Sequence, residues 1–86
     1  MPILLQDTLD EIHVLALFNP ASTLEGIKVH GDADPAHVAA TRRLHEKGLI
    51  TQADGGYLTT LGQDALRHLD LLVTILTPVG EQDLPA

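Results

Sequence analysis

Cysteine and tryptophan are absent from this chain, and its aromatics amount to Phe18 and Tyr57. Without cysteine there is no disulfide, no thiolate metal site and no thiol nucleophile. With so few aromatics, a core must be aliphatic, built from Leu, Ile, Val and Ala. No run approaches the roughly 20 apolar residues of a membrane-spanning helix. The N-terminus has no basic region followed by a long apolar run, so no signal peptide is expected and the cytoplasm is the expected compartment. Basic residues are scarce: 5 Lys and Arg stand against 12 Asp and Glu, a net charge of −7. That balance opposes non-specific attraction to nucleic acid, which rests on cations neutralising phosphates.

The chain also lacks a nucleophile elbow, a phosphate loop and a carboxylate pair in a plausible cleft. At 86 residues it would struggle to form a deep pocket unless it dimerised. Nothing points to an enzyme, to catalytic residues or to a cofactor. His30, Asp32, Asp34 and His37 could be read as a metal cluster, since imidazole and carboxylate are suitable ligands. Asp34 is better explained as a helix cap, so no metal is expected.

What the sequence does carry is order. Its length suits one small domain near the lower limit of independent stability, expected over 1–78, with 79–86 as a short, acidic, flexible tail. Thr8 and Glu11 have the spacing of a capping box, and Leu9, Ile12, Leu15 and Ala16 recur at helical spacing. This first helix is expected to reach Phe18, before Asn19-Pro20. Ser22 and Glu25 form a second capping box, which predicts a short helix stopping near Gly26 to Val29. Asp34-Pro35 starts a third helix, because aspartate accepts from free amides and proline fits the first helical position. Gly48 ends that helix after Lys47, and Leu49 falls where a Schellman cap would fold it back on Leu44.

Ile50 to Ala53 and Tyr57 to Thr59 read as short strands around an Asp54-Gly55-Gly56 turn. Thr59 caps a long last helix ended by Thr77-Pro78. Within it, Ala65, Leu69, Leu72 and Leu76 are spaced four, three, four, as in a coiled-coil seam. The fold expected is mainly α with a small β-hairpin: a winged helix-turn-helix of about four helices and a two-stranded wing.

All but one of the basic residues lie within residues 28–47, a local basic segment on an acidic body. On the third helix, Arg can bond a guanine edge in two places, and Lys or Thr can reach phosphates. The candidate DNA-binding residues are therefore Lys28, His37, Thr41, Arg42, Arg43 and Lys47. Adjacent Arg42 and Arg43 point about 100° apart, so at most one is expected to face the bases, with the other at a phosphate or an acid. The wing carries Asp54 where grip on DNA would call for a cation, and reads as a structural hairpin. Leu66, Leu69, Leu72, Val73 and Leu76 are the candidate dimerisation residues.

The stretch Leu44-His45-Glu46-Lys47-Gly48-Leu49-Ile50, followed by Asp54-Gly55-Gly56-Tyr57-Leu58-Thr59-Thr60-Leu61-Gly62, resembles the recognition-helix end, wing and post-wing helix of winged-helix transcription regulators. Leu58 to Gly62 is similar to a post-wing element of the multiple-antibiotic-resistance and phenolic-acid-repressor types. The whole chain looks like a family of small bacterial proteins described as DNA-binding and of unassigned function, on Glu25-Gly26-Ile27-Lys28-Val29-His30 and Asp32-Ala33-Asp34-Pro35. The resemblance implies a homodimeric DNA-binding regulator with helix 35–47 in the major groove and Arg42, Arg43 and Lys47 at DNA-contacting positions. The competing expectation is a protein-interaction or dimerisation module with an unidentified protein partner and no DNA binding. A nucleic-acid mimic ranks below both, because the acids are not spaced in a duplex-like row.

Overall fold

A computed structural model describes residues 4–78. The expected tail, 79–86, lies outside the described residues. The described residues are mostly helical, with three helices and a three-stranded antiparallel sheet in the order α1 (Gln6–Leu15), β1 (Ile27–Lys28), α2 (Pro35–Glu46), β2 (Ile50–Gln52), β3 (Gly55–Leu58) and α3 (Thr60–Leu76). The sheet order is β1-β3-β2.

The best-specified element is α2. Asp34 Oδ1 accepts from the Ala36 amide at 2.9 Å, with Pro35 at the first helical position. At the other end the Leu49 amide donates to Leu44 O and the Gly48 amide to His45 O, each at 3.0 Å. Those are the two bonds of a Schellman cap, and Gly48 takes the φ of 83° that the motif needs. The hairpin follows at once, with Gly55 and Gly56 at positive φ. Thr59 then caps α3 by accepting from the Gly62 amide at 3.1 Å while its hydroxyl donates to Gly48 O at 2.6 Å. One threonine thus ties the start of α3 to the end of α2.

Two expectations are corrected. The capping box at Thr8 does not form: α1 starts earlier, at Gln6, with Leu5 as an uncapped N-terminus. Glu11 turns away from the helix start because stronger partners await it on α2, as described below. The helix also stops at Leu15, short of Phe18, although Phe18 still folds into the core.

The expected helix at 22–29 is absent as well. Ser22 Oγ accepts from the Leu24 amide and Asn19 Oδ1 from the Ala21 amide, which makes two local turns. The chain then extends so that Ile27 and Lys28 pair with Gly56 and Gly55. The physical reason lies in what a short helix could bury. Leu24 is 85% exposed and Gly26 disfavours helix, whereas the extended form satisfies backbone groups against β3 and brings Ile27 to the core. Four helices and two strands thereby become three and three.

Val14, Leu15 and Phe18 from α1 and the turn after it, Ala40 and Leu44 from α2, Ile50 from β2 and Leu66 from α3 form the core. Ile27, Leu49, Leu58, Ala65 and Leu69 pack around it. No helix among the described residues is long and apolar enough to cross a membrane.

Candidate functional site

The expected basic face of α2 divides in two. Glu11 of α1, whose side chain is 9% exposed, accepts from Arg43 Nε at 3.0 Å and also pairs with Lys47 Nζ. Arg43 Nη2 reaches back to the Asp7 carbonyl at 3.3 Å. Burial alone would raise the Glu11 carboxyl. The hydrogen bonds from Lys47 and Arg43, and then their charges, outweigh it and hold the group below the usual carboxylate range. Arg43 is raised in turn, chiefly by its hydrogen bond to Glu11. These two cations therefore join α2 to α1.

Thr41 is 1% exposed, and its hydroxyl donates to His37 O at 2.6 Å within α2. His37 is half-buried, and its ring meets that of His13 edge-on, with centroids 6.3 Å apart, across the α1–α2 seam. Of the six residues expected to face DNA, only Lys28 and Arg42 are exposed without a hydrogen-bond or ion-pair partner among the described residues. They line one cleft of about 580 Å³ between the strand β1 with its following loop, the outer face of α2 and the hairpin turn. His30 and Asp54 stand on the same cleft. Sequence spacing could not show this, because Lys28 and Arg42 come from a strand and a helix whose packing is set by the unexpected β1.

The second surface is the far half of α3. Leu71, Leu72, Val73, Ile75 and Leu76 are each between 51 and 70% exposed. Leu66, expected on a dimer face, is instead 4% exposed in the core, and Leu69 packs against that core. Leu72, Val73 and Leu76 remain available, and Leu71 and Ile75 join them. The α3 helix is 17 residues long, about 26 Å at the usual rise. It meets α1 and β3, while its apolar side chains from Leu71 to Leu76 face outward. Among the described residues no three His, Cys, Asp or Glu side chains come together as a metal site would require.

The model of a family of unknown function, DUF5669, matches residues 2–77, and the chain belongs to that family. No curated protein and no solved structure matches it.

Proposed function

We propose that this member of the family is a winged-helix-type interaction module that works as a homodimer, paired through the far half of α3. The observation that carries the reading is the run of large aliphatic side chains, Leu71 to Leu76, left uncovered on that helix. Monomeric proteins rarely leave a contiguous apolar patch of more than a few hundred Å². A helix segment this short is also marginal in water without a packed face, so a partner would stabilise the segment as well as cover it. A second copy is the occupant because, of the four-three-four set, Ala65 and Leu69 pack on the chain's own core while Leu72 and Leu76, four residues apart on one helix face, stay exposed. That pattern suits two like helices packed along a shared seam, and a two-fold axis presents the same patch on both sides. The winged-helix description rests on the hairpin that follows α2, on the strand order and on the capped helix after it. The short leading helix of a helix-turn-helix is replaced here by β1.

The chain has no cysteine, which makes the test direct. Single variants Leu72→Cys, Ile75→Cys and Leu76→Cys are oxidised alongside an Ala21→Cys control. The proposal expects covalent dimers in good yield from at least one α3 position, since side chains beside a two-fold axis come within disulfide reach. Yields no higher than the control at all three would overturn it.

Duplex DNA is the second reading, with the protein as a transcription regulator. What favours it is that Arg42 and Lys28 remain exposed and uncompensated, and a dimer would offer two such surfaces to two half-sites. What weighs against it is that Arg43 and Lys47 are held by Glu11, Thr41 is buried, and the body is acidic.

A further inference from the structure

The five cations of this chain divide sharply. Arg43 and Lys47 share Glu11, with Asp7 also 3.9 Å from Arg43, and Arg67 pairs with Asp64 at 2.9 Å. The remaining two, Lys28 and Arg42, have no partner among the described residues, and both line the same cleft. We propose that this cleft is a binding site for a small phosphate-bearing molecule.

The chemistry fits on three counts. An Arg fork from α2 and a Lys ammonium from β1, both lining the cleft, suit the tetrahedral oxygens of a phosphate, one bidentate and the other as a point charge. His30 adds a third nitrogen from the loop after β1. The cleft, at about 580 Å³, lies within the ordinary range of small-molecule sites, roughly 300–1,000 Å³. Val38 and Ala53 give it apolar wall, and Asp54 supplies a carboxylate that accepts from a hydroxyl or an amino group. The ligand class is therefore an organic phosphate with a polar, hydrogen-donating body.

A small ligand is favoured over a polymer by the same charges. A duplex along α2 would lay a row of phosphates over a body of net charge −7, and each phosphate meets that repulsion. A small phosphate in the cleft meets Asp54 as well, but carries no more charge than Lys28 and Arg42 together can balance. The site shares no residue with the α3 surface, so it stands or falls independently of dimerisation.

The test is a two-dimensional amide NMR titration of the full chain with pyrophosphate, ribose 5-phosphate and a mixed duplex, all at constant ionic strength. The proposal expects saturable shifts confined to residues 28–31, 38–42 and 53–54 with the small phosphates. Arg42→Gln and Lys28→Gln should each weaken binding by about tenfold, the scale of one charge-assisted hydrogen bond. Both side chains are exposed and unpartnered, so the remainder of each variant's spectrum should match the wild type and report an intact fold. Shifts that rise without saturation, or binding left unchanged by both Arg42→Gln and Lys28→Gln, overturn the site. A duplex that binds these residues more tightly than either small phosphate also overturns it, and assigns the cleft to nucleic acid.

Discussion

Glu11 decides more about this protein than any other single side chain. It is a carboxylate whose side chain is only 9% exposed, and it is tolerable there because Arg43 and Lys47 both reach it. Removing it would leave two cations without their common partner. Glu11→Ala should cost about 1–3 kcal/mol, a charged hydrogen-bonded group discounted for the exposure of its partners. The measurement is denaturant unfolding. The pH dependence has a definite sign. The folded carboxyl lies below its unfolded value, so its contribution is present at neutral pH. That contribution fades as the pH falls below the ordinary glutamate value of about 4.3 and through the lower folded value. Glu11→Gln should flatten that acid limb, and an equally steep limb in the variant would contradict the assignment. In the sequence this glutamate reads as a capping-box residue at the right distance from Thr8. Its true partners lie far along the chain on α2, and no local spacing encodes an ion pair of that kind.

At the scale of elements, what was legible was what is locally enforced. Asp34-Pro35, the Gly48 stop and Thr59 each act within a few residues, and the helices they bound sit where those signals place them. The segment at 22–29 failed as a helix because its fate is set by a distant strand, with Ile27 opposite Gly56 and Lys28 opposite Gly55. Gly62 shows how tightly the elements are then joined. A methyl group there would run into the Leu49 carbonyl oxygen, and would meet the Leu49 carbonyl carbon and Leu58 Cδ2 each at 3.0 Å. Two of those atoms are backbone and cannot swing aside. Gly62→Ala, which in an open helix would be mildly stabilising, should therefore destabilise by roughly 1–3 kcal/mol through overpacking. Thermal unfolding checks it, and an unchanged or raised midpoint would mean that α3 shifts freely against the β2 entry.

For the whole molecule, the distribution of charge and apolar surface matters more than the fold label. The acidic composition already argued against a nucleic-acid surface, and the structure withdraws two of the cations in the basic segment into the α1–α2 joint. The seam on α3 was visible as a four-three-four repeat. Which of its leucines face the core and which face out was not, because that depends on where the three-stranded sheet ends and the helix runs on past it. Leu66 and Leu69 fall on the inner side of that limit, and Leu71 to Leu76 beyond it. No residue of α3 lines the Lys28–Arg42 cleft, so association and ligand binding can be measured separately.

The most direct test of the central claim is sedimentation velocity over a range of protein concentrations, on the wild type and on Leu72→Asp. Leu72 is exposed in the single chain, so the charge can be introduced without entering the core, whereas in a dimer it would sit desolvated at the seam. The account predicts a wild-type dimer that dissociates on dilution and a folded, monomeric Leu72→Asp. A wild type that stays monomeric at every concentration, or a variant that dimerises as well as the wild type, would contradict it.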